Sequence, residues 1–251
     1  MQAAPLHVKI ERKGEVLCVT FDRPEKKNAL SGPMYAAATG ALQDAGSNPS
    51  IGALVFSGAG GSFTAGNDLA DFLSWDAAAG ELPAFAFIKA LARCETPVVA
   101  AIEGIAIGIG ATMMLHCDLV YAAPGTMFRL PFVDLGVVPE AASSLLLPRR
   151  IGMAKAAELL LLGESFGADE AMRLGLANAI IPACRLQGYA IDQALRLAQK
   201  PRASLLAARR LMRGGQEEIL ARIEEEAHLF SAALRSEEAR SAFRAFFEKQ
   251  S

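Results

Sequence analysis

The chain has 251 residues, a formal net charge of −2, and a composition that is 52% hydrophobic and 21% charged. That length allows one large domain or a domain with an appendage, and the apolar share excludes a disordered chain. Near-neutral charge with no basic, aromatic-interleaved block argues against a nucleic-acid partner.

The N-terminal stretch lacks the basic-then-apolar form of a signal peptide. "HVKIERKGEVLCVTFDRP" predicts two strands around a Lys13-Gly14 turn, with β-branched Val8, Ile10, Val16 and Val19. Ser31 is placed to cap a helix from about Pro33 to Ala45, with proline near its first turn. A buried strand is expected from Ile51 to Gly60, then an irregular polar piece, then a helix over Leu82 to Cys94. Thr96-Pro97 breaks that helix, and "PVVAAIEG" is the next strand. "IAIGIGATMMLHCD" reads as a glycine-rich turn feeding a short apolar helix, and "LVYAAP" as a strand.

Farther on, "AKAAELLLLG" and "DEAMRLG" predict helices stopped by Gly163 and Gly175, with Asp169 a cap candidate. "LANAIIP" is a closing strand. From Gly188 onward only helical patterns remain, and their interleaved Arg and Glu fit a solvated helical surface. Strand and helix units alternate through the first three quarters, which predicts an α/β core over residues 1–187 and a helical region over 188–251.

Four scattered cysteines (Cys18, Cys94, Cys117, Cys184) and three scattered histidines match neither a disulfide frame nor a zinc site. No metal is expected. Free thiols fit a reducing compartment, here the cytoplasm. The most apolar run, Gly104 to Leu115, is too short to span a bilayer, so no membrane partner is expected.

Two glycine-flanked turns stand out, "SFTAGNDL" and "EGIAIGIGATMM", each after an apolar strand. The second opens a helix, so free N–H groups face into the turn. One N–H from each turn would make an oxyanion hole. The spacing of Gly104, Gly108 and Gly110 is not that of a dinucleotide site, and neither a P-loop nor G-x-S-x-G occurs. Between Asp134 and Arg149, "DLGVVPEAASSLLLPR" carries one charge, Glu140. A glutamate among small and apolar residues is costly unless paired or used. It is either a partner of a helix N-terminus or of Arg149 or Arg150, or an acid–base group.

Together "SFTAGNDL", "PVVAAIEGIAIGIGATMMLHCDLVYA" and "LGVVPEAASSLLLPRRIG" resemble the crotonase superfamily, the enoyl-CoA hydratases and isomerases. The resemblance runs over nearly the whole chain. It implies a spiral of ββα units with a C-terminal helical region used in trimer packing, and a homotrimer or hexamer as partner arrangement. It also implies an acyl-CoA thioester substrate and no separate cofactor, since coenzyme A is part of the substrate. The oxyanion donors would be the backbone N–H groups of Asn67 and Ile109. Thr64, Ala65, Gly66, Asp68, Leu69, Gly108 and Phe132 would lie along the substrate.

The carboxylates depart from the hydratase pattern. Thr112 and Phe132 stand where that resemblance puts glutamates. Glu140 matches the glutamate that follows the proline in peroxisomal-type Δ3,Δ2-enoyl-CoA isomerases, and "GNDLADF" resembles the same group. Isomerisation needs one movable base, so the expected activity is isomerase with Glu140 as base. The alternatives are a divergent hydratase, other crotonase chemistry such as a dehalogenase with an aspartate nucleophile at the Glu140 position, or a non-catalytic binding module. Asp134 is a rival base better read as a loop or cap residue, and Asp118 as a structural hydrogen-bonding group. Trp75 with Phe72-Leu73 would line an acyl pocket or pack as core, Met113 and Met114 are core, and Lys26 and Lys27 are phosphate contacts or simply solvated.

Overall fold

A computed structural model describes residues 7–74 and 80–248. The antiparallel pair β1 (Val8–Lys13) and β2 (Val16–Phe21) opens the chain, turning at Gly14. Helix α1 (Gly32–Ser47) then returns the chain to β3 (Ala53–Gly58), which pairs in parallel with β2. After α2 (Leu69–Ser74) and α3 (Pro83–Arg93) comes β4 (Val98–Ile102), and after it β5 (Ile105–Ile107) and the single turn α4 (Ile109–Thr112). Strands β6 (Leu119–Ala122) and β7 (Met127–Arg129) follow, then helices α5 (Ser143–Ile151) and α6 (Met153–Leu161). The short β8 (Phe166–Gly167), α7 (Ala168–Arg173) and β9 (Ala179–Ile180) complete the spiral. Four helices end the described chain: α8 (Ala183–Ala198), α9 (Arg202–Arg213), α10 (Gln216–Ala233) and α11 (Glu237–Glu248).

Two sheets result. The larger runs β1-β2-β3-β4-β6-β9, parallel from β2 onward, and the smaller runs β5-β7-β8. Strand β4 is buried at every position because both its faces are covered, which is why it reads as a continuous apolar run. On one face, Leu186, Ala190, Ile191 and Ala194 of α8 pack against Val16, Val55 and Val99. On the other lies the main core, where Phe21, Phe56, Phe63 and Phe87 meet at ring distances near 6 Å. Helix α10 joins this core through Ile223 and Phe230, the latter edge-on to Phe85 of α3.

The structure departs from the sequence reading in several places. The core boundary expected at residue 187 falls inside α8, where Gly188 is carried mid-helix. Ser31 precedes α1 without a side-chain cap; the Gly32 N–H donates instead to Asp71 Oδ2 at 2.8 Å, so a carboxylate from α2 closes that helix end. Asp169 sits inside the first turn of α7 rather than at its cap, where it still favours the helix dipole. Trp75 lies outside the described residues.

Candidate active site

The first glycine turn is built by Asn28, whose buried side chain donates to the carbonyls of Ala59 and Ser62 and accepts from the Arg23 N–H. Thr64 completes it. Its hydroxyl donates to the Asn28 carbonyl at 2.6 Å and accepts from the Gly66 N–H at 3.0 Å. The hydroxyl is thus used inside the turn. The Ala65 N–H donates to the Lys27 carbonyl, and the Asp68 N–H to the Leu30 carbonyl, while the Gly66 carbonyl accepts from the Leu30 N–H. Asp68 is also tied to Arg23 by a 2.6 Å ion pair. Of the backbone N–H groups in "AGND", that of Asn67 takes no part in this network.

Thr64 pairs in parallel with Ala106 of β5, through Thr64 N–H to the Ile105 carbonyl at 3.0 Å and Ile107 N–H to the Thr64 carbonyl at 3.1 Å. This register brings the two turns side by side. Asn67 and Ile109 each lie three residues beyond the paired positions. The approach is close: a Cβ on Gly66, at φ +90°, would stand 2.8 Å from the Ile107 carbonyl oxygen. At the second turn Gly108 adopts φ +54° and ψ −118°, a conformation closed to other residues, and its carbonyl accepts from the Ala111 and Thr112 N–H groups. The Ile109 N–H begins α4 and has no carbonyl within that helix to reach. Two main-chain donors are therefore presented from adjacent turns, as an oxyanion hole requires.

Glu140 is completely buried, and neither carboxylate oxygen has a hydrogen-bond partner. Arg149 is paired with Glu218 instead, at 2.6 Å, and Arg150 makes no ion pair with Glu140, so the ion-pair reading of Glu140 fails. From the first turn, Asn67 acts on Glu140. Tyr35, buried on α1, donates its hydroxyl to Asn67 Oδ1, and the Asn67 amide faces Glu140 and lowers its pKa without making a well-formed hydrogen bond to it. Burial dominates, with the charge of Glu226 adding to it, and the Glu140 pKa is pushed up to about 8.

The turn carrying Glu140 is strained. Ala141 and Ala142 follow at φ +61° and +54°, both fully buried. A non-glycine residue held there costs about 1–2 kcal/mol. Two groups hold the pair in place. His116 Nε2 donates to the Ala141 carbonyl at 2.7 Å, its imidazole kept neutral because burial pulls its pKa down to about 4. From the other side Glu226 of α10 accepts from the Ala142 N–H at 2.6 Å and from the Ser144 N–H and hydroxyl at 3.1 and 2.5 Å. Glu226 is thus the carboxylate that serves the α5 N-terminus, the place the sequence offered to Glu140.

Thr112 and Phe132 are both buried, and the Thr112 hydroxyl has no partner. Asp134 lies on the surface in an ion pair with Arg129 at 2.9 Å. Asp118 is held by Arg209, Arg213 and the Val98 N–H, a structural role. Met113 and Met114 are core, and Lys26 and Lys27 are exposed. Leu69 is half-buried at the start of α2, and the side chains of Phe72 and Leu73 lie outside the described residues. Among the described residues, no three metal-ligating side chains come together.

The sequence model of the family described as "Enoyl-CoA hydratase/isomerase" matches residues 11–251. The chain belongs to the enoyl-CoA hydratase/isomerase family. Within it, the chain is 33% identical to enoyl-CoA delta isomerase 2 of Rattus norvegicus over 96% of its own length, spanning 63% of that protein. It is 31% identical to the 2,3-dehydroadipyl-CoA hydratase of Escherichia coli K12, covering 96% of this chain and 95% of that one. A 4-chlorobenzoyl coenzyme A dehalogenase of Arthrobacter is 35% identical over 78% of this chain and 73% of its own. Among solved structures, an enoyl-CoA hydratase/isomerase from Pseudoalteromonas atlantica T6c superposes with a TM-score of 0.92 at 40% identity, covering 97% of each chain. The family establishes an α/β crotonase fold and an acyl-CoA enzyme; its members here carry both hydratase and isomerase names.

Proposed function

We propose that this family member is a Δ3,Δ2-enoyl-CoA isomerase acting through Glu140. The observation that carries the reading is a single, fully buried, unpaired carboxyl beside paired main-chain donors, with Thr112 and Phe132 where a second carboxylate would be needed for hydration. The thioester oxygen of a 3-enoyl-CoA would accept from the Asn67 and Ile109 N–H groups. Ionised Glu140 takes a proton from C2, and the C–H electron pair delocalises through C1 onto that oxygen as a dienolate. The same carboxyl returns the proton to C4, so the double bond moves from C3–C4 to C2–C3 with no net gain or loss of atoms. A raised pKa makes the carboxylate a stronger base, and a dry surround strengthens the two donors. The reaction requires no cofactor beyond the substrate's own coenzyme A. Assembly into trimers or hexamers belongs to the same proposal, and exposed Leu161, Leu162, Leu211 and Met212 supply apolar surface for it.

The test supplies trans-3-enoyl-CoA and, separately, trans-2-enoyl-CoA in water to wild type and Glu140→Gln. Bond migration by wild type, reduced by about a thousandfold in the variant, is expected for loss of the one base. Hydration that survives in Glu140→Gln would refute the role given to this residue, and acyl-CoA binding without turnover of either substrate would favour a binding module.

A further inference from the structure

We propose that Glu226, on α10, is a positioning residue for Glu140: it clamps the strained turn that aims the base and holds a negative charge behind it. The inference rests on the reading of Glu140 as the base.

The geometry is unusual for a helix cap. The N-cap of α5 is Ala142, which has no side chain able to serve the helix end. The cap comes instead from a helix more than eighty residues later, and both its oxygens are engaged, one by the Ala142 N–H and the other by Ser144. Glu226 is itself only 4% exposed. Arg222, one turn earlier on α10, donates to the Ser144 hydroxyl at 3.1 Å and so braces the same contact. The Ala142 N–H lies two residues from Glu140 in a turn whose two residues occupy the left-handed region. Without Glu226 that N–H loses its acceptor, and the turn keeps only its carbonyl-side bonds, from His116 to the Ala141 carbonyl and from the Ser143 N–H to the Glu140 carbonyl.

The electrostatics point the same way. Glu226 has three donors and Arg222 nearby, whereas Glu140 has no hydrogen-bond partner, so of the two carboxyls Glu226 ionises first. Its charge opposes ionisation of Glu140. The other groups facing the pair are Tyr35 of α1, with Asp71 of α2 behind it, the Asn67 amide, and neutral His116, which has Arg150 and Arg213 beyond it. None of these presents a second negative charge as directly. A cap needs only an acceptor. A buried anion in that place also keeps the base proton-hungry.

The experiment measures kcat and KM against pH for wild type, Glu226→Gln and Glu226→Asp on trans-3-enoyl-CoA. Circular dichroism and thermal melts check the fold. Glu226→Gln is expected to move the acidic limb of the rate profile to lower pH by about half a unit or more, to lower the plateau kcat about tenfold, and to leave KM within about twofold. Glu226→Asp retains the charge with a shorter reach, so its limb stays near that of wild type while kcat falls. A folded Glu226→Gln with an unmoved limb and unchanged kcat overturns the proposal and leaves Glu226 a simple cap. If Glu226→Gln does not fold, carboxyl 13C titrations of wild type and Ser144→Ala decide. Loss of a Glu226 donor must make Glu226 harder to ionise and Glu140 easier, and Glu140 ionising before Glu226 in wild type overturns the proposal. Glu140→Gln separates the two claims: persistence of isomerisation there removes the reading of the base, whereas failure of the Glu226 variants alone removes only the clamp. A wild type inactive on 3-enoyl substrates is judged by the same carboxyl titrations.

Discussion

Replacing Glu140 with Gln should stabilise the protein at alkaline pH, and by an amount that depends on pH. In the native state Glu140 has its pKa raised to about 8, against 4.5 for an unburied carboxyl. Between those values the folded chain keeps a proton that the unfolded chain has lost. Stability therefore falls as pH rises through that window, the reverse of the behaviour of a salt-bridged carboxylate. Gln is neutral throughout and close in shape. Integrating the proton difference from about pH 5.5 to about pH 8.5 gives a cost to wild type of about 3 kcal/mol that the variant avoids. Glu226 titrates in both proteins and largely drops out of the comparison. Urea unfolding at the two pH values, followed by tryptophan fluorescence and circular dichroism, measures the difference. The variant should exceed wild type by about 1.5 kcal/mol at the acidic end, and by about 3 kcal/mol more at the alkaline end. A stability difference that is the same at both ends would refute the picture of Glu140 as a buried acid. The same titration governs activity: kcat/KM should rise with pH and level off above about 8 as Glu140 becomes ionised.

Three other substitutions test the scaffold. Gly66→Ala places a Cβ 2.8 Å from the Ile107 carbonyl in a left-handed backbone and should cost about 2 kcal/mol or more in chemical denaturation while lowering kcat. Ala142→Gly removes one strained residue; denaturation should show a gain of up to about 1 kcal/mol, whereas kcat should fall because the turn that aims Glu140 is loosened. Tyr35→Phe frees the Asn67 amide from its hydroxyl donor and should cost about 1–2 kcal/mol, with a several-fold loss of kcat and little change in KM.

The α/β alternation and both glycine turns were legible in the sequence because glycine spacing and apolar runs are local signals. The smaller sheet was not. Strands Ile105–Ile107, Met127–Arg129 and Phe166–Gly167 are too short to show a period of two. Helix α5 was missed because Pro148 and a mixed run of Ser and Leu obscure its pattern, and because its cap is remote in sequence. Glu140 stood out as a lone charge, but its partner did not. Glu226 closes a run of three glutamates. Interleaving with arginine made the whole run read as solvated, and in the structure Glu224 does pair with Lys89 and Glu225 with Arg222. Its position held the signal: Glu226 follows Ile223 by three residues and precedes Phe230 by four, on the buried stripe of α10. Tyr35 and Asn28 carried no such mark, since a tyrosine in a helix and an asparagine in a loop are ordinary until their partners are seen.

Helix α10 reaches the site from the far end of the polypeptide, anchored by Phe230 against Phe85. The turn that carries Glu140, the proposed base, is consequently composed by two stretches of chain that can mutate independently. In a chimaera that joined this spiral to the terminal helices of a relative, the glycine turns would survive intact. On the proposed roles of Glu140 and Glu226, the acidity of the base would then be inherited from whichever parent supplied the tail, and substituting the tail would retune the working pH without altering a residue of the glycine turns.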